Sequence, residues 1–222
     1  MNRRVVAASC LAASPVLVSA SHFLWPAHSE GTNTQQIAAA GAHSTAWAAA
    51  TLVETIGWLL LVPALVVLWQ GVTGRGRRLT AIGSWVSIAG LFGYYGAGVM
   101  NLVTIEMGRR HDPAVMTAFS QSLKHDNSLF LLIVAPLLLG TLALVVVFAG
   151  LARAGWVGWW VPLAAFLGIA ASQALSSSEN APALVAAYLP MTIACIVTAL
   201  RLAERRTATA ATTGKPAAYA TA

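Results

Sequence analysis

Six long apolar runs, near positions 5–24, 46–70, 80–106, 128–150, 157–175 and 182–201, alternate with shorter polar stretches along the chain. Each is close to the ~20 residues that an α-helix needs to cross a bilayer core. The third contains GSWVSIAGLFGYYGAGVMNLV and the fourth SLFLLIVAPLLLGTLALVVVFAG, both too long and too evenly apolar for ordinary core helices. The fifth, VGWWVPLAAFLGIAASQAL, runs short of large aliphatics as it nears Ser172 and Gln173. The pattern predicts an all-α fold: a polytopic transmembrane bundle of about six helices. One domain is expected over 1–206. The small-residue segment TATAATTGKPAAYATA is expected to form a disordered cytoplasmic tail over 207–222.

The stretch between the third and fourth runs has a period of its own. In RRHDPAVMTAFSQSLKHDN, Val115, Met116, Phe119 and Leu123 share one helical face, with Thr117, Ser120, Gln121 and Lys124 elsewhere. Asp112 followed by Pro113 supplies an N-cap acceptor and a proline at the first helical position. A short amphipathic helix on the outer surface is expected, placed to lid an outer cavity. The first run carries a second reading. Its basic start and the Val18-Ser19-Ala20 triplet also suit a secretory signal, although a retained helix is favoured and either choice leaves the next loop outside.

Composition agrees with the pattern. Hydrophobic residues make up 58% of the 222 positions and charged residues 9%, against roughly 25% charged in soluble domains; mean hydropathy is +0.71. The net charge of +6 is therefore read by position, and no nucleic-acid partner is expected. With the N-terminus in the cytoplasm, Arg3, Arg4, Arg75, Arg77, Arg78, Arg153, Arg201, Arg205, Arg206 and Lys215 fall inside, and only Arg109, Arg110 and Lys124 outside. A multi-pass cell-membrane protein with both termini cytoplasmic is expected. Cys10 and Cys195 lie within spans, so no disulfide framework is indicated.

This topology puts His22, His28, His43, His111 and His125 on the outer side, together with Glu30, Glu106, Asp112, Asp126 and Glu179. Longer outer loops account for most of these. They do not account for Glu54, which lies about 12 Å inside the outer start of its span at 1.5 Å per residue. Trp47, Ala50, Thr51, Glu54, Gly57, Trp58 and Leu61 share a helical face, so the carboxyl group is flanked by indoles. Apolar surroundings favour the protonated acid over the carboxylate. An acid placed in hydrocarbon costs about 2.5–3.5 kcal/mol to insert and marks a functional site by default; the alternative is a hydrogen bond to a neighbouring helix.

The third span adds Tyr94, Gly98 and Asn101 at helical spacing, with Tyr95, Val99, Leu102 and Glu106 on an adjacent face. Ala89, Gly93, Gly96 and Ala97 form a small-residue stripe suited to close helix packing. The His111-Asp112 and His125-Asp126 pairs admit a metal reading, but both aspartates stand where N-caps are expected, and no metal site and no cofactor are assigned. Walker, Rossmann, HExxH, GxSxG and paired-cysteine motifs are absent from the sequence. Any chemistry must therefore lie among the helices.

With its N-terminal Arg3-Arg4, its RGRRLTAIGSW segment leading into a glycine-rich third span, and its proline in the fourth, the chain resembles small Ala/Leu/Val-rich actinobacterial membrane proteins. In size, span number and buried acid it is similar to the membrane-bound terpene cyclases of meroterpenoid and indole-terpenoid pathways. That resemblance implies a lipophilic prenylated substrate drawn from the membrane lipid. No motif transfers the cyclases' acids to this chain, so roles are assigned by chemistry. Protonating a polyprenyl chain needs a neutral acid, aromatic faces for the cations and exclusion of water. Glu54 is the expected acid, with Asn101 or Glu106 positioning the substrate or accepting the final proton, and Trp47, Trp58, Tyr94 and Tyr95 shaping the pocket. The alternative is a non-catalytic transport or partner-binding subunit.

Overall fold

The computed structural model describes residues 3–26, 32–110, 112–124, 130–175 and 180–213. Every regular element among them is helical. In chain order these are α1 (Arg3–Ser21), α2 (Asn33–Ala42), α3 (Ser44–Leu59), α4 (Leu61–Gly71), α5 (Arg77–Arg110), α6 (Pro113–Lys124), α7 (Ala135–Arg153, entered through the π-helical turn Phe130–Val134), α8 (Trp160–Ala174) and α9 (Ala181–Thr213). Five stretches are long and apolar enough to cross a membrane: Arg3–Ser21, Ser44–Gly71, Arg77–Arg109, Leu131–Arg153 and Ala181–Glu204. Leu52, Ile56, Phe92, Leu132 and Leu163 are exposed on the bundle's outside, where water would penalise them and lipid does not. This is a multi-pass membrane protein. The sixth expected span, 157–175, is the shorter α8 of 15 residues.

The span at 46–70 divides at Leu60, between α3 and α4, although Leu60 keeps helical dihedrals and its N–H still donates to Ile56 O at 3.0 Å. α4 then packs into the main core, in which Leu61, Leu65, Leu68, Phe148, Leu151 and Met191 are almost fully buried. The last helix continues to Thr213, past the Arg206 boundary at which the tail was expected to begin. Its ATAAT stretch is rich in alanine, the strongest helix former. Residues 214–222, with Lys215, lie outside the described residues.

α5 and α7 form the most extensive helix pair, and small residues set their distance. Gly90 faces Gly140 backbone to backbone; a Cβ on Gly90 would lie 2.8 Å from Gly140 N. Ser87 Oγ donates across the same seam to Gly140 O at 3.0 Å. The seam corrects the expected stripe. Gly93 and Gly96 do abut Ile133 of the π-turn, but Ala89 is exposed, because it stands about a third of a turn round from Gly83 and Gly90. At the start of the same helix Gly76, at φ 94°, occupies a left-handed conformation that other residues rarely adopt, and its backbone abuts Gly150.

α2 was not anticipated. Its start is fixed by a capping box in which Thr32 Oγ1 accepts from Gln35 N and the Gln35 side chain accepts from Thr32 N at 2.8 Å. It crosses α5 where Gly41 meets Gly108, close enough that a Cβ on Gly41 would sit 2.6 Å from the Gly108 carbonyl carbon. The expected amphipathic helix is α6, with Asp112 standing just before it and Val115 and Phe119 exposed. It rests on α2, where Thr34 and Thr117 hydroxyls meet at 3.0 Å.

Candidate functional site

At the end of the bundle away from Arg75, Arg77, Arg78 and Arg153, the helices enclose a cavity of about 350 Å³. Glu54 opens onto it from α3. Its helix brings Trp47 above it and Trp58 below, on the face expected from the sequence, with Ala50, Thr51 and Gly57 buried between them. The Glu54 side chain is only partly exposed, and the surface it keeps faces this cavity. The indole of Trp25 lines the same cavity. Trp58 Nε1 lies outside hydrogen-bond geometry with any acceptor, as does Trp47 Nε1. Two buried indole N–H groups left without an acceptor are an uncommon cost, since buried donors are normally paired.

α5 supplies the facing wall. Its face through Gly83, Ser87 and Gly90 continues into Tyr94 and Asn101, and both line the cavity. Gly98, between them, lets α3 close in; a Cβ there would lie 2.7 Å from Thr55 Oγ1. Tyr94 stacks on Trp58 at 4.2 Å between ring centroids and 21° between planes, forming the floor. Its phenol faces Thr141, whose own hydroxyl donates to Leu137 O at 2.6 Å. Two assigned residues do not reach the site. Tyr95 is 57% exposed, and the Glu106 side chain, 51% exposed, stands 4.0 Å from Arg109. Both sit on the adjacent α5 face, more than a quarter-turn from Tyr94, and that face looks outward.

The remaining wall comes from residues the sequence reading left aside. Tyr188 enters from α9 and faces Ser172 of α8. Tyr188 thus shares the cavity lining with Glu54 and Tyr94. His22, just past α1, stacks on Tyr188 at 5.3 Å and 27°, and burial pushes its imidazole below the ordinary histidine range. Trp25 meets Trp47 edge to face at 5.0 Å and 88°. Gln36, carried by α2, completes the rim with Gln173 and Thr104. A period signal existed for some of these: Thr32-x-x-Gln35 is a helix-start pattern, and Leu184 and Tyr188 are one turn apart on α9. Trp25 and His22 lie in a turn, where no period could have pointed inward.

The lining is mixed: the rings of Trp25, Trp47, Tyr94 and Tyr188 and the Glu54 carboxyl group share it with His22, Gln36, Asn101, Thr104 and Gln173. No lysine or arginine is among the described residues that line it. No group of three His, Cys, Asp or Glu side chains gathers to hold a metal among the described residues; His28, Glu30, His111, His125, Asp126 and Glu179 lie outside them. Cys10 and Cys195 are both free thiols. No protein family matches the sequence, and no curated protein or solved structure matches it either.

Proposed function

We propose that this protein is a membrane-embedded, metal-independent terpene cyclase in which Glu54 protonates a prenylated aromatic substrate. The observation that carries the reading is the position of Glu54: it faces an aromatic-walled cavity inside the bundle, in place of lipid or a partner helix. The arginine bias puts the Arg75–Arg78 end and both termini in the cytoplasm, with the cavity toward the opposite face. At about 350 Å³ the cavity lies near the lower limit of small-molecule sites, ~300–1,000 Å³. It holds the reacting end of a prenyl chain, with the polar aromatic head at the rim beside Asn101 and Gln36.

The step is an isomerisation. The Glu54 O–H bond breaks and its proton adds to the terminal alkene, leaving a carbocation over the Tyr94 and Tyr188 rings, whose π-faces attract it. A second alkene or the aromatic head closes the ring. The cation then sheds a proton to the Glu54 carboxylate, which restores the acid. Asn101 serves as a positioning residue, and Glu106 has no part.

Membranes carrying the protein should convert a farnesylated indole to a ring-closed isomer of unchanged mass. Glu54→Gln should lower that conversion by at least about 10², the usual contribution of a general acid, with expression unchanged. Turnover retained by the variant removes Glu54 from the mechanism. A second reading, a non-catalytic transport or partner-binding subunit, is favoured by one feature, the amide and hydroxyl groups in the cavity lining, which suit a hydrated ligand better than a bare hydrocarbon chain. It predicts no isomerisation and a change of only about 1 kcal/mol in stability for the same variant, the scale of a hydrogen bond within a membrane.

A further inference from the structure

The charge pattern of the cavity points to a ligand class that does not depend on turnover. Among the described lining residues one carboxyl group, Glu54, shares the space with the rings of Trp25, Trp47, Tyr94 and Tyr188, and neither lysine nor arginine is present. These rings arrive from separate segments: the turn after α1, then α3, α5 and α9. Aromatic faces carry negative quadrupole potential and concentrate around ammonium groups in proteins that bind them. An ammonium ion entering this space draws the proton off Glu54, because an adjacent opposite charge favours the ionised acid, and the resulting carboxylate, with no lysine or arginine among the described lining residues, focuses negative potential inward. The polar groups of the same lining, Asn101 and Gln36 among them, are available to the rest of a ligand whose charged end sits among the rings.

We infer that this cavity is a binding site for small lipophilic organic cations, specifically ammonium ions bearing short alkyl groups, with Glu54 as counter-charge and the four rings as the cage. Its volume of about 350 Å³ equals roughly a dozen waters at ~30 Å³ each. That space suits an ion the size of benzyltrimethylammonium. Such an ion also copies the carboxylate–carbocation pair of the proposed reaction, but its binding requires no alkene and no proton transfer.

The test uses the purified full-length chain in detergent and equilibrium dialysis with benzyltrimethylammonium. Neopentylbenzene, which replaces the nitrogen by carbon, serves as the uncharged isostere. Saturable binding of the ammonium ion, at least about tenfold tighter than the isostere, is expected, with a loss of tenfold or more in Glu54→Gln and a smaller loss in Trp25→Leu. Equal binding of ion and isostere by the wild-type protein overturns the inference, with no appeal to any variant, and so does full affinity in a folded Glu54→Gln protein. Ammonium binding without cyclisation of farnesylindole leaves this site standing and removes the cyclase. Cyclisation without ammonium binding does the reverse.

Discussion

Replacing Gly90 by alanine tests whether the α5–α7 seam holds the floor of the cavity in place. The new methyl carbon would lie 2.8 Å from Gly140 N and closer still to the Gly140 Cα. Ordinary carbon contact is about 3.5–4.0 Å, so the two helices must part by roughly 1 Å. Overpacking of this kind costs about 1–3 kcal/mol. Parting also stretches the bond of 3.0 Å from Ser87 Oγ to Gly140 O, worth ~0.6 kcal/mol on average within a membrane. The sum is a loss of about 2–4 kcal/mol. Tyr94 follows Gly90 on the same face, one turn on, so its stack on Trp58 should loosen with the seam. Thermal unfolding in detergent reads the first effect and near-ultraviolet circular dichroism the second. The double variant Gly90→Ala/Gly140→Ala should cost less than the sum of its singles, because the first methyl has already opened the gap that the second enters. Wild-type stability in Gly90→Ala, within about 0.5 kcal/mol, together with an unchanged aromatic signal, refutes the reasoning.

Other outcomes follow from the same geometry. Thr32→Ala should remove the capping box of α2 at a cost of about 0.5–2 kcal/mol, seen as faster amide exchange confined to α2 with little change in global melting. Burial lowers the His22 pKa from its usual 6.5; the unfolded chain therefore binds the proton more readily, and stability should be full above pH 6.5 and fall as pH drops below it. His22→Phe, which keeps a ring against Tyr188, should flatten that part of the profile in a melting series from pH 5 to 8. Tyr95→Leu and Glu106→Gln should each change stability by no more than about 0.5 kcal/mol, as outward-facing positions do, and should leave ligand binding and turnover intact.

Much of the site could be read from periodicity, because its main walls are single helical faces. The Trp47–Glu54–Trp58 face follows from spacing alone, and Tyr94 and Asn101 fall one after the other on α5. What periodicity could not decide was which of two adjacent α5 faces turns inward. The Tyr94 and Tyr95 faces both carry polar groups in sequence, and the choice is made by Gly90 meeting Gly140, a contact between residues fifty positions apart. Trp25 and His22 escaped for another reason: turns have no period, and their inward aim comes from Trp47 and Tyr188, each on a different helix. Within the outer loop α2 was hidden by its Ala- and Gln-rich composition, which lacks a strong apolar stripe, although its capping box was present in the sequence.

The interruption at Leu60 separates two duties along one membrane crossing. Below it, α4 is locked among Leu65, Leu68, Phe148 and Leu151, nearly all of them sealed from solvent. Above it, α3 turns Glu54 and Trp47 toward the cavity. A 28-residue crossing would measure about 42 Å if straight, well beyond a ~30 Å hydrocarbon layer, so it must tilt or reach past the hydrocarbon at its ends. Durability is thereby lodged in one segment and selectivity in the other. Exchanging side chains on the α3 segment can retune what the protein accepts while the anchoring segment keeps the bundle assembled, which makes the region from Ser44 to Leu59 the natural place to redesign its ligand preference.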